Sequence, residues 1–129
     1  MTLQRPDNPE NLFVGVNEAL DSNNLSDLEK KHIPAIEAPR EVRKGQYFDV
    51  RVAVGKAQAH PNEHTHFINA IELYADETGL ARVDLTAGLA CPRATFCVSL
   101  RHPVEELRAL AHCNLHGAWM GAETITVTQ

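Results

Sequence analysis

From about residue 39 onward, apolar residues recur at every second position in short runs broken by turn residues. Phe48, Val50, Val52 and Val54 alternate with Asp49, Arg51 and Ala53. Phe67, Ile71 and Leu73 share one parity in the stretch 65–75, and Val83 and Leu85 continue the pattern through 80–87. A period of two marks an extended strand with one buried face, because successive side chains point to opposite sides of the pleat. Further runs at 95–100, 104–113 and 123–129, with one more short strand near Ile36 or Glu41, bring the number to about seven. Asp76 to Gly79 reads as a turn with Gly79 free to take a positive φ. Short alternating strands separated by turns favour an all-β, antiparallel, seven-stranded β-sandwich.

The N-terminal part differs. Leu12, Phe13, Val16, Ala19 and Leu20 fall close to helical spacing over 10–20, and Ser22, Asn23 and Asn24 read as a turn. Ser26 followed by Glu29 fits a capping box, so a helical turn should start there and stop before Pro34. These features divide the chain into a short helical arm, 1–28, and a sandwich domain, 29–129. At 129 residues the chain can bury one real core without disulfides.

Charge narrows the function. Twelve Lys and Arg against 17 Asp and Glu leave a formal net charge of −5, a poor match to nucleic acid. No apolar run approaches the length of a membrane span, and the polar start with Pro6 and Pro9 lacks the apolar region of a signal peptide. A cytoplasmic protein is therefore expected. The chain is instead rich in histidine, seven against three cysteines. An odd number of cysteines in such a chain points to free thiols or metal ligands.

Histidine clusters in His60-Pro61-Asn62-Glu63-His64-Thr65-His66, and a Cys-x-x-His pair stands at Cys113 and His116 with Gly117 behind it. A tight turn can bring such a pair to the same side of the chain. Several imidazoles with one thiolate is too nitrogen-rich for a structural zinc site and suits redox iron or copper. His112 alternates with Cys113 and should face away from it. His64 and His102 read as solvated or turn residues, and Cys91 and Cys97 as core or loop thiols. Backbone N–H groups of Asn114 and Leu115 could donate to the Cys113 sulfur.

Three blocks together resemble the superoxide reductase family, which includes neelaredoxin and the iron centre II domain of desulfoferrodoxin. They are Lys30-Lys31-His32-Ile33-Pro34, then His60-Pro61 through His66-Phe67-Ile68, then Cys113-Asn114-Leu115-His116-Gly117 with Trp119 beyond. The resemblance spans about 29–129. It implies an Ig-like sandwich and one mononuclear iron, cycling between ferrous and ferric, with no rubredoxin-like four-cysteine domain. His32, His60, His66 and His116 would be the equatorial ligands, and Cys113 the axial thiolate opposite an open position. The implied reaction is one-electron reduction of superoxide to hydrogen peroxide, with a donor such as rubredoxin restoring the electron. Lys31 matches the lysine that attracts the anion. Homotetramers are also implied by the resemblance.

One position departs from the family. Lys30 stands where the family has glutamate, and the nearest acid is Glu29, one residue earlier. A one-residue shift on a helix rotates a side chain by about 100°. The expected ferric form therefore has no carboxylate on the iron. A rival reading is a blue-copper carrier built from His60, Cys113, His116 and Met120, since a weak axial methionine completes that copper set.

Overall fold

The computed structural model describes Phe13 and residues 15–129. Among them one helix and nine strands follow in the order α1 (Asp27–His32), β1 (Ala35–Glu37), β2 (Glu41–Arg43), β3 (Tyr47–Ala53), β4 (Ile68–Ala75), β5 (Thr78–Asp84), β6 (Arg93–Ser99), β7 (Glu106–Cys113), β8 (Gly117–Thr124) and β9 (Thr126–Thr128). One sheet has the order β1-β3-β6 and the other β5-β4-β7-β8, both antiparallel. A short parallel pair, β2-β9, stands beside them.

The alternation read from the sequence is what packs the sandwich. Val50 and Val52 of β3, Phe96 and Val98 of β6, Ile71 and Leu73 of β4 and Leu107 of β7 are buried in one core. Burying each such side chain contributes about 1.5–3 kcal/mol relative to leaving it in water. The all-β sandwich is thus the architecture, and an Ig-like arrangement is consistent with it.

Three local differences from expectation have physical causes. The strands number nine because both short alternatives, at Ile36 and at Glu41, form, and because β8 precedes β9 at the C-terminus. The positive φ in the β4–β5 turn belongs to Asp76 (φ 49°), and Gly79 lies inside β5. Asp76 tolerates that backbone because its carboxylate accepts the N–H groups of Glu105 and Glu106, at 3.2 and 3.1 Å. The helix expected over 10–20 falls partly outside the described residues, and 15–20 are not helical. Gly15 has φ 75°, and Asn17 instead pairs with the edge of β8 at Trp119. An exposed strand edge presents unpaired main-chain groups that such a segment satisfies.

α1 forms as expected. The Glu29 N–H donates to the Ser26 hydroxyl and the Ser26 N–H donates to the Glu29 carboxylate, completing the capping box. The helix ends at His32 with Ile33 as its cap, just before Pro34. No helix among the described residues is long and apolar enough to cross a membrane.

Candidate metal centre

Each candidate ligand is delivered by a different piece of the fold. Cys113 ends β7 on the same parity as Leu107, Ala109 and Ala111, so its side chain shares their buried face. A register irregularity in β4 between Ile68 and Ala70 sets Ile68 opposite Cys113. Such bulges re-aim side chains next to functional sites. His32 is the last residue of α1 and only 1% exposed. His60 and His66 come from the β3–β4 connection. That loop passes so close to Gly55 (φ 79°) that a Cβ there would lie 2.7 Å from the His60 nitrogen.

Hydrogen bonds orient the rings. His32 Nδ1 donates to the Leu28 carbonyl at 2.7 Å, and His60 Nδ1 donates to the Pro61 carbonyl at 2.6 Å. With the proton held on Nδ1, each Nε2 presents a bare lone pair. The Nε2 atoms of His32, His60 and His66 are all buried without a hydrogen-bond partner. Three orphaned imidazole nitrogens in one place would be costly unless something binds them. Together with the Cys113 thiol, their ligand atoms lie within 4.8 Å of one another.

The electrostatics favour neutral ligands. Burial, followed by the neighbouring imidazoles, pushes His60 down to about 4 against the partial support of the Pro61 carbonyl. Burial likewise lowers His32. His66 is lowered by burial first, then by the nearby charges of His116 and Lys31. Imidazole binds a metal only when neutral, so the fold already holds these rings in the metal-binding state. The three-histidine, one-thiol donor set therefore fits a transition-metal ion such as iron.

The remaining predicted residues are placed as follows. His116 stands at the rim, exposed, outside the four-residue convergent group. Its Nδ1 lies 3.8 Å from Cys113 Sγ, and its ring centroid is 5.0 Å from those of His32 and His66. Lys31 is half-buried beside His32, and its charge is felt at His32 and His66. His112 faces away from Cys113, as parity requires, and pairs with Glu72 at 2.5 Å. His64 and His102 are exposed and take no part in the cluster. Cys91 and Cys97 are exposed free thiols.

Glu29 is engaged at the helix start and is not part of the convergent ligand group. Its two carboxylate oxygens accept the N–H groups of Ser26 (2.8 Å) and Leu20 (3.1 Å). Met120 also has other neighbours. It follows Trp119 on β8, and it lines a separate cavity with Glu18, Lys30 and Ile33. The alternation of β8 turns it away from the face on which Trp119 meets His32, so the copper set is not assembled.

Sequence reasoning missed how the loops are fastened. The Asn114 N–H donates to the Phe67 carbonyl at 3.2 Å, not to the sulfur; the sulfur accepts from the His116 N–H at 3.4 Å. The Asn114 side chain accepts from the Phe67 N–H (2.9 Å) and donates to the Thr65 carbonyl (3.0 Å), tying the cysteine turn to the His66 loop. Asn62 does the same for the His60 loop, accepting from the Gly88 N–H and donating to the Ala90 carbonyl. Trp119 is a wall, stacked on His32 with centroids 4.7 Å apart. Asparagine inside a histidine-rich loop is the only sequence signal these fasteners leave.

A buried cluster of histidines and one cysteine at the end of a β-sandwich defines a mononuclear metal protein of the non-haem type. Comparison with known proteins narrows the class. The desulfoferrodoxin family model matches residues 24–122. A Methanocaldococcus jannaschii protein is 41% identical over 110 residues, covering 83% of this chain and 90% of the relative. A superoxide reductase from Pyrococcus horikoshii is 39% identical over 99 residues, covering 70% and 83%. Among solved structures, a superoxide reductase (neelaredoxin) from Ignicoccus hospitalis superposes with a TM-score of 0.67 at 42% identity, covering 74% of this chain and 80% of that one. The chain belongs to the desulfoferrodoxin family of iron proteins, among its superoxide reductases. That membership also removes the blue-copper alternative.

Proposed function

We propose that this chain reduces superoxide to hydrogen peroxide at one iron held by His32, His60, His66, His116 and Cys113. The observation that carries the reading is the convergence of three orphaned, buried Nε2 atoms on the Cys113 thiol. His116 joins the set through Nδ1, the nitrogen it turns toward that sulfur. Iron, when bound, supplies the single electron; superoxide, one electron and two protons balance to one hydrogen peroxide.

The residues do the rest. His32 and His60 keep their protons on the far nitrogens, so the near ones remain free for the metal. Trp119 and the buried face of β7 close the inner side, leaving approach from the rim where His116 is exposed. Lys31 places a positive charge beside that cluster and draws in a small anion, although the chain as a whole carries −5. Charges farther off than a Debye length, ~10 Å at 0.1 M salt, are largely screened, so the local cation dominates. With Glu29 engaged as a cap, the oxidised centre has no carboxylate ligand from α1. Every turnover consumes one electron, which a small one-electron carrier of rubredoxin type returns. Assembly into tetramers is the further expectation from the family, checked by light scattering.

Peroxide stoichiometry tests the reading. A reductase forms one peroxide per superoxide consumed, whereas dismutation forms one per two. Pulse radiolysis of the reduced, iron-loaded protein should give the first ratio. Lys31→Ala should slow the bimolecular step about tenfold and flatten its dependence on salt. A ratio of one to two, or a rate indifferent to Lys31, would contradict the proposal.

A further inference from the structure

We propose that Asn17 is a positioning residue for the metal centre, holding the His116–Trp119 segment in place from outside the stretch that the family model matches. The inference rests on His116 being a ligand. His32 and His60 are oriented by backbone carbonyls that hold their Nδ1 protons. His116 turns Nδ1 toward the sulfur instead, so that anchor is not open to it. Its ring is also exposed. The place of this imidazole is therefore set by the main chain of the Cys113–Gly117 turn, which closes through Gly117 at φ 80°.

Asn17 grips that main chain. Its Nδ2 donates to the Ala118 carbonyl at 3.0 Å and reaches the His116 carbonyl at 3.5 Å. Its backbone N–H donates to the same Ala118 carbonyl at 2.9 Å, and its carbonyl accepts the Met120 N–H at 2.9 Å. The His116 carbonyl is also where Trp119 Nε1 donates, at 3.1 Å, and the Trp119 ring is the one stacked on His32. One amide side chain thus touches both the main-chain carbonyl of His116 and the strand that carries the wall of the site. Asparagine suits the task because its amide offers two donors to two carbonyls. Asn17 lies seven residues before the matched family segment, which starts at 24.

The main-chain pairing survives any side chain, so substitutions at 17 isolate the amide. Asn17→Asp keeps the shape but loses both donors and sets a carboxylate against two carbonyl oxygens. Asn17→Ala removes the group. Each variant, with His116→Ala and the double variant Asn17→Ala/His116→Ala, is titrated with Co²⁺ without oxygen. Binding is followed by the thiolate-to-cobalt charge-transfer absorption, and thermal unfolding of the metal-free chains is measured alongside. The expected result is about tenfold weaker Co²⁺ binding for either Asn17 variant, the scale at which supporting groups act on metal ligands. The charge-transfer band should be altered, and the metal-free midpoints should fall by no more than about 5 °C, the scale of one exposed hydrogen bond. In the His116→Ala background Asn17→Ala should have a clearly smaller effect, because only the route through Trp119 is left. Unchanged affinity at Asn17, undiminished weakening in the His116→Ala background, or a loss matched by collapse of metal-free stability would each overturn the proposal. If His116→Ala alone leaves affinity unchanged, the ligand assignment fails and this inference falls with it. If His116→Ala weakens binding and Asn17 variants do not, only this inference fails.

Discussion

Gly121 on β8 lies against the main chain that connects α1 to β1. A Cβ built on it would sit 2.0 Å from the Pro34 carbonyl oxygen and 3.4 Å from Ile33 Cγ2. Even weak C–H contacts to a carbonyl oxygen keep about 3.3 Å between carbon and oxygen, so Gly121→Ala must move one backbone off the other by more than ~1 Å. The obstacle is main chain and cannot rotate away. We therefore place the cost at the upper end of overpacking, about 3 kcal/mol. An unfolding entropy of about 2.1 cal/mol/K per residue converts this to a fall of roughly 11 °C in the midpoint for a chain of this length. The displacement also reaches the site, because Pro34 is two residues beyond His32. Co²⁺ affinity should fall together with the midpoint. Gly79→Ala is the control: its nearest contact would be the Tyr74 ring at 3.6 Å, ordinary van der Waals distance, and it should melt with the parent. Calorimetry of both metal-free variants checks the pair. If Gly121→Ala unfolds and binds cobalt like the parent, the packing of the α1–β1 connection on β8 as the support of His32 is wrong.

Other consequences follow from named contacts. Glu29 is held below the usual carboxylate range first by the N–H of Ser26 and then by that of Leu20. A depressed carboxylate stabilises the fold above its unfolded value, near about 4.3, and loses that contribution as pH falls through the folded value. The amide protons of Ser26 and Leu20 should therefore lose exchange protection together only below the usual range, and loss near pH 6 would refute the cap. Asn114→Ala removes two loop-tying hydrogen bonds, worth about 1–2 kcal/mol in total at this exposed position, and should lower both the urea midpoint and Co²⁺ affinity. Met120→Leu conserves volume and lies off the ligand group, so metal affinity and visible spectrum should not change; a changed spectrum would mean that the Met120 sulfur reaches the metal.

The parity of apolar residues made the sandwich legible, because strands with one buried face write their orientation directly into the sequence. The same parity correctly sent His112 outward to Glu72 while Cys113 went inward. β8 escaped notice because Ala118, Met120, Gly121 and Ala122 mix small and large residues, and its half-buried positions do not alternate cleanly. The apolar spacing at 10–20 looked helical. Yet Phe13 packs edge-on against Tyr74, and Asn17 pairs with a strand edge. Tertiary contacts there outweigh a short, weak helical pattern. Spacing and donor chemistry singled out His60, His66, Cys113 and His116, and the family resemblance added His32; His32, His60, His66 and Cys113 are the four that converge. The asparagines that fasten the loops were not legible, because any asparagine can hold a carbonyl and only the fold decides which one it meets.

The central claim is a single iron bound through histidine nitrogens and the Cys113 thiolate. It is tested most directly by metal content with the visible spectrum of the oxidised protein, measured for the parent and for Cys113→Ser. One iron per chain is expected, with a thiolate-to-iron charge-transfer band that disappears in Cys113→Ser. A parent without stoichiometric iron, or a band that persists without the Cys113 sulfur, would contradict that claim.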